Sequence, residues 1–291
     1  MEHKAGFVNI IGNPNVGKST LMNALVGEKI SIITNKAQTT RHRILGILNE
    51  KDFQIVFSDT PGILNPSYTL QENMMSFVYS SFSDADILIY LLEIGEKGLK
   101  DMKVVNRIRN ASVPVLILLN KIDLASQDIV HEEIEKWSKE FPNAELLPIS
   151  ALNNFNLDKI KSRLIDLLPI SPPYYAKDAI TDKTERFLVQ EIIREKILLH
   201  YKQEVPYSVE IEVEEFVEDH GLIRIRAIIY VMRESQKGII IGHKGLGLKR
   251  IGTESRKDIE KMLGKKIFLE TPIKVKKNWR NNKSQLKKFG Y

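Results

Sequence analysis

The segment Gly12-Asn13-Pro14-Asn15-Val16-Gly17-Lys18-Ser19 fits the spacing G-x-x-x-x-G-K-S/T. Such a turn can hold phosphate, because glycines let successive backbone N–H groups face phosphate oxygens and the following helix adds its positive dipole end. In that setting Lys18 bridges β- and γ-phosphates and Ser19 ligates Mg²⁺. Asp59-Thr60-Pro61-Gly62 offers a carboxylate to hold the magnesium through water, and Gly62 offers an N–H to a γ-phosphate. Asn120-Lys121-Ile122-Asp123 offers base selection. The Asp123 carboxylate can accept from the ring N–H and exocyclic amine of guanine, a donor pair that adenine lacks, and a mismatch would leave buried polar groups unpaired. The Lys121 stem can cover the base plane, and Ser150-Ala151 can place a backbone N–H on the guanine carbonyl. Together these types and spacings point to a site for GTP.

Residues with these roles must sit at the ends of strands. Short apolar, branched runs predict strands at residues 6–11, 44–48, 53–57, 87–92 and 115–119, with a shorter one at 146–149. Residues 49–52 make a hairpin-like connection. Helical segments between them, for example 101–110 and 129–140, argue for a mostly parallel α/β sheet. The phosphate loop follows the first strand and opens a helix, the context its chemistry requires. Residues 1–170 are therefore expected to form this domain. Ile170-Ser171-Pro172-Pro173-Tyr174-Tyr175 stops helix continuation and stiffens the chain, so residues 171–184 read as a linker.

Residues 185–291 follow a different pattern. Glu185 to Tyr201 is an amphipathic helix. Val209, Ile211 and Val213 alternate with glutamates, and Ile223, Ile225 and Ala227 alternate with arginines, which predicts two half-buried strands around Gly221. An apolar run, Gly238 to Ile241, precedes Gly242-His243-Lys244-Gly245. A helix follows from about Leu246 to Leu263, and a last strand lies near Ile267 to Val275. A lone G-x-x-G is a weak signal. Within a helix–strand–strand–helix–strand order, before a helix carrying Lys249 and Arg250, it matches a type II KH domain of α+β class, whose loop clamps a sugar-phosphate backbone. Charge agrees: residues 235–291 hold 16 basic and 4 acidic residues within a chain of net charge +6, which suits a polyanion. Lys274, Lys276, Lys277 and Arg280 extend the basic stretch, and Trp279 either stacks on a base or is buried.

Composition excludes several classes. The 291 residues contain no cysteine, so disulfides and Cys-ligated metals are ruled out. No run of about 18 apolar residues occurs, so no membrane-spanning helix is expected. A cleaved signal peptide is not expected either.

The four nucleotide motifs, in order and spacing, resemble the translation-factor class of P-loop GTPases. Gly12-Asn13-Pro14-Asn15 and Lys36-Ala37-Gln38-Thr39-Thr40-Arg41-His42-Arg43 resemble the Era family of bacterial GTPases, and the resemblance spans about Phe7 to Trp279. It implies hydrolysis of GTP to GDP and phosphate at a slow intrinsic rate. It also places Thr39-Thr40 in the first switch, with Thr40 on Mg²⁺ in the GTP state. The position after Gly62 is Ile63, where many GTPases carry a water-orienting glutamine. The resemblance answers with a potassium ion held by Asn15 and first-switch backbone. The implied catalytic groups are thus Lys18, Thr40, Gly62 and Asn15, with Ile63 among the nucleotide contacts. The implied partners are the 3′ region of 16S ribosomal RNA and the 30S subunit, bound through Gly242, His243, Lys244, Gly245, Lys249 and Arg250. A cytoplasmic monomer with peripheral inner-membrane association is implied as well. Two rivals stand beside this reading: an RNA-binding adaptor that holds GTP without useful turnover, and a GTPase recruited mainly to anionic membrane.

Overall fold

Branched apolar runs become strands and the amphipathic stretches between them become helices: β1 (Lys4–Ile11), α1 (Lys18–Val26), β2 (Ile44–Asn49), β3 (Phe53–Asp59), α2 (Thr69–Ser80), β4 (Ile87–Glu93), α3 (Met102–Arg109), β5 (Val115–Asn120), α4 (Gln127–Glu140), β6 (Glu145–Pro148) and α5 (Leu157–Leu167). The computed structural model describes residues 2–98 and 101–291. It divides into two compact units, one taking in residues up to Ser67 and Gln71–Asp182, the other Tyr68–Leu70 and Lys183–Tyr291.

In the first unit six strands run in the order β2-β3-β1-β4-β5-β6. All neighbours are parallel except β2, which returns antiparallel on β3 through the short connection. Residues Ile87 to Leu92 are all buried, as expected for a central strand covered on both faces. The expected α/β class is the observed one. The carboxyl ends of β1, β3 and β5 carry the phosphate loop, Asp59 and Asn120, so the parallel sheet delivers three motifs to one edge.

Residues 171–182, expected as a linker, dock on the first unit. Gln54 accepts the N–H groups of Tyr174 and Tyr175 at 2.7 and 3.0 Å and donates to the Tyr175 carbonyl at 2.9 Å. The N–H of Ile47 donates to the Ile180 carbonyl at 2.9 Å, and the Thr181 hydroxyl donates to the Leu45 carbonyl at 2.6 Å. The segment thereby covers the edge of β2, whose backbone groups would otherwise be open to pairing.

The second unit contains α6 (Glu185–His200), α7 (Val205–Ser208), β7 (Glu210–Asp219), β8 (Leu222–Val231), α8 (Glu234–Ile241), α9 (Leu246–Leu263), β9 (Lys266–Glu270), β10 (Ile273–Val275) and α10 (Lys283–Lys288). Strand β8 pairs antiparallel with β7 and parallel with β9 and then β10. Alternate residues of β8 (Ile223, Ile225, Ala227, Ile229, Val231) are buried in one core with Val189, Ile193 and Ile197 of α6 and with Ile251 and Ile259 of α9. The last strand expected over 267–275 is two strands. Thr271-Pro272 separates them, because proline has no N–H for the ladder, and the Pro272 carbonyl accepts instead from Ile229 at 2.9 Å. The apolar run before the G-x-x-G loop is the last turn of α8, with Ile240 fully buried and Ile239 49% exposed. Among the described residues no helix is long and apolar enough to cross a membrane.

Candidate nucleotide site and nucleic-acid interface

The phosphate loop turns tightly between β1 and α1. Gly17 has φ 103°, and a Cβ there would lie 2.4 Å from Asn120 Nδ2, so only glycine fits. Asn15 also takes a left-handed conformation, φ 66°. Lys18 is 6% exposed and its ammonium donates to the carbonyls of Gly12 and Asn13 at 3.1 and 2.8 Å. Burial pushes that ammonium down to about 8, against the pull of the Asp59 and Glu96 charges. A buried ammonium at the start of α1, inside a loop of this spacing, fits the phosphate-binding role expected of Lys18.

Three oxygen groups converge beside it. The hydroxyls of Ser19 and Thr40 donate to Asp59 Oδ2 at 2.7 and 3.2 Å and lie 3.0 Å apart. Asp59 is fully buried, and burial pushes its carboxyl up; the hydroxyls of Ser19, Ser31 and Thr40 and the Lys18 charge oppose that. Its Oδ1 makes no hydrogen bond of proper geometry. A buried carboxylate with an unspent oxygen, beside two hydroxyls, is a hard, oxygen-only donor set, which fits Mg²⁺. Gly62 closes the same side: a Cβ there would lie 2.7 Å from Pro14 Cα, so this turn packs directly on the phosphate loop.

The base-selecting end is built around Asn120, 2% exposed. Its Nδ2 donates to the Val16 carbonyl at 2.7 Å and its Oδ1 accepts the Ala151 N–H at 2.9 Å. One side chain thus ties the phosphate loop to the Ser150-Ala151 turn. Lys121, in a left-handed conformation with φ 64°, donates to the Asn15 carbonyl at 2.8 Å and pairs with Glu93 at 2.6 Å. Asp123 stands exposed in a short 3-10 turn, Ile122–Leu124, with its carboxylate open to a base.

A cavity of about 290 Å³ brings together Pro14, Asn15, Gly17, Lys18, Ser19, Thr40, Gly62 and Lys121 of the residues expected from sequence. Gly12, Asn13, Val16, Asp59, Thr60, Pro61, Asn120, Ile122, Asp123, Ser150 and Ala151 do not line it. Asp59, Asn120 and Ala151 are buried supports. The Thr60 hydroxyl donates inward to the Ile10 carbonyl at 2.7 Å. Ile63 sends its N–H to the Gly12 carbonyl at 3.2 Å, while its side chain, 5% exposed, packs in the core with Met75 and Val78. Sequence reasoning missed Ile32 to Asn35, which line the cavity; their position between the phosphate loop and Thr39-Thr40 was the available signal. It also missed Glu93 and Glu96, which no motif marks.

In the second unit, Gly242, Lys244 and Gly245 have φ of 69°, 49° and 77°, a left-handed turn between α8 and α9. His243, Lys244, Lys249 and Arg250 are exposed. A groove of about 510 Å³ between α9 and β9 is lined by Gly245, Leu248, Lys249, Arg256, Phe268 and Thr271 among others, and Phe268 is 53% exposed. An apolar floor with cations at its rim suits a base and its phosphate. Trp279 takes the buried alternative: it is fully buried and its Nε1 donates to the Ser208 carbonyl at 3.0 Å.

Comparison with known proteins agrees with both units. Residues 7–121 match the family described as 50S ribosome-binding GTPase, and residues 204–280 match the KH domain family. GTPase Era of Staphylococcus haemolyticus is 43% identical over 100% of this chain and 98% of its own length. GTPase Era of Geotalea daltonii is 45% identical over 99% and 97%. Among solved structures, a variant of Aquifex aeolicus Era bound to GDP and AlF₄⁻ superposes with a TM-score of 0.95, at 38% identity and covering 99% of both chains. Era in complex with MgGDPNP and nucleotides 1506–1542 of 16S ribosomal RNA gives the same TM-score, identity and coverage. Likeness of this extent over both units makes the chain a member of the Era family of GTPases.

Proposed function

We propose that this chain is a GTP-operated switch that binds the 3′ region of 16S ribosomal RNA through its KH unit and serves assembly of the 30S subunit in the cytoplasm. The observation that carries the reading is the full-length likeness, at 38% identity, to an Era structure that holds both MgGDPNP and a 16S fragment. The local geometry supplies each half: a buried lysine and convergent oxygens for a triphosphate, and an exposed cationic turn beside an apolar groove for RNA.

In the proposed reaction water attacks the γ-phosphate in line and GDP leaves. Lys18 turns from the Gly12 and Asn13 carbonyls to the phosphate oxygens. Ser19, Thr40 and Asp59 would hold Mg²⁺, which neutralises developing charge when bound. The Gly62 N–H would donate to the γ-phosphate, so the Thr39-Thr40 segment and the Asp59–Gly62 turn, as first and second switch, would order with GTP and relax with GDP. Ile63 lies in the core and cannot orient water. Asn15 donates to the Asn35 carbonyl at 3.0 Å, four residues before Thr39, and K⁺ held there would supply a further positive charge. Turnover equal in K⁺ and Na⁺, for wild type and Asn15→Ala alike, would exclude that role.

The whole reading is tested by crosslinking the GTP-loaded protein to cellular RNA and sequencing what is bound. Enrichment of the 16S 3′ end is expected. Enrichment of unrelated RNA, or none above a GDP-loaded control, would overturn it.

A further inference from the structure

The nucleotide site has a support outside its motifs. The segment leaving β4, residues 93–98, presents two carboxylates to the phosphate loop, one at Asn13 and one, through Lys121, at Asn15. Glu96 Oε1 accepts from the side-chain amide of Asn13, and Glu96 Oε2 accepts from the Glu93 N–H at 2.9 Å. The same Asn13 amide also donates to the Gly98 carbonyl at 3.3 Å. The backbone carbonyl of Asn13 is in turn the nearer of the two on which Lys18 rests, at 2.8 Å. Glu93 serves the second contact: it pairs with Lys121, which donates to the Asn15 carbonyl.

The loop itself is anchored. Lys136 of α4 donates to the Glu96 carbonyl at 3.0 Å, and the neighbouring Trp137, 1% exposed, packs against Gly98. A side-chain amide is free to rotate unless something fixes it, and here two acceptors from an anchored loop do so.

We infer that Glu96 is a positioning residue for GTP hydrolysis: through the Asn13 side chain it fixes the phosphate-loop peptide that sets the place of Lys18. The inference rests on the nucleotide-site reading above. Glu96 does not line the cavity, so it acts through Asn13 and touches no phosphate. Burial pushes the Glu96 carboxyl up, and hydrogen bonds from the Glu93 N–H and Asn13 hold it against that. Small displacements of groups that grip a reacting phosphoryl can cost up to about 100-fold in rate.

The test is a double-mutant cycle on the full chain, comparing wild type, Glu96→Ala, Asn13→Ala and the double variant, with Glu96→Gln as the conservative control. Glu96→Ala is expected to lower kcat/KM roughly 10- to 100-fold, mainly in kcat, and Asn13→Ala to match it. The double variant should be no slower than the worse single one, because one path has been cut twice. Glu96→Gln keeps an acceptor for Asn13 and should recover most of the rate. Guanosine, which has no phosphate to misplace, should bind every variant like wild type. Singles whose losses multiply, or a Glu96→Ala rate within about twofold of wild type, would overturn the inference. So would an equal fall in guanosine affinity, the mark of general unfolding. Failure of wild type itself to bind GTP would instead remove the nucleotide-site reading.

Discussion

Both units of this chain set a lysine at a glycine-containing turn where a helix begins, and the surroundings differ in kind. Lys18 is 6% exposed, rests on two carbonyls and has a fully buried carboxylate nearby. Lys244 is exposed at the tip of its turn, beside a groove of about 510 Å³ with an apolar floor. The first arrangement is held by buried hydrogen bonds, so a small error in position is expensive. The second can follow a flexible strand, and its charges are screened by salt. A site for one defined nucleotide and a site for a stretch of polymer thus make different use of the same elements.

The sharpest way to break the comparison is to attack nucleotide selection. Asp123→Ala is expected to collapse the preference for GTP over ATP by roughly 10³-fold or more, since guanine's donors would lose their acceptor. Competition calorimetry with both nucleotides reads this directly, and a preserved preference would mean that the base is read elsewhere. Lys18→Ala should lower kcat by roughly 10²–10³-fold, as for loss of one preset charge-stabilising donor. Single-turnover phosphate release is the measurement, and an unchanged rate would refute the preset-cation argument. Gly62→Ala comes next. Its Cβ would meet Pro14 Cα at 2.7 Å, so the second switch must move off the phosphate loop, and GTP turnover should fall by up to about 10²-fold while GDP affinity holds.

How much of this was legible in the residues follows the same divide. The phosphate loop, Asp59 and Asn120-Asp123 were readable because their spacing reports backbone geometry: Gly17 must be glycine, and Asn120 must span two loops. The strands that carry them were readable because burial on both faces leaves a continuous apolar run. The role of residues 171–182 was not, since the prolines report only that no helix continues, and the partners on Gln54, Leu45 and Ile47 are over 100 positions away in sequence. Glu96 was illegible for a related reason: a glutamate in a connecting segment that no motif marks carries no sign that an asparagine 83 positions earlier will meet it. Trp279 was undecidable from its basic neighbours; the Ser208 carbonyl within reach of its indole and the edge-on ring of Phe289 account for its burial.

On the KH side the expected effects are smaller and differ in character. Phe268→Ala should weaken binding of a single-stranded 16S 3′-end oligonucleotide by about 1–3 kcal/mol if the ring stacks on a base. The log–log salt slope should not change. Lys244→Ala should do the reverse: a few-fold loss of affinity with a slope shallower by about 0.7, one phosphate's share on a single strand. Fluorescence anisotropy across a salt series separates the two. If Phe268→Ala flattened the slope, or Lys244→Ala left it unchanged, the division into apolar floor and charged rim would fail.

The smallest effect tests whether surface charge in the KH unit is as loosely held as the comparison requires. Glu254 of α9 is hydrogen-bonded by His200 at 2.6 Å and by Arg250 at 3.1 Å. The His200 bond first, and then Arg250, hold its carboxyl below the ordinary value of 4.5. A carboxyl held down in the folded protein binds its proton more readily once unfolded, so the contribution to stability is complete above the ordinary value. It disappears as pH falls through the lowered one. The side chain is 37% exposed, so solvent screening keeps the gain small. Wild type should melt at most about 1–3 °C above Glu254→Gln at neutral pH, and the gap should close on acidification. Glu254→Gln also releases Arg250, and RNA affinity at low salt should rise slightly. A melting difference as large as that expected for a buried pair, or one that grew toward low pH, would mean that this face is preset in the manner of the phosphate loop.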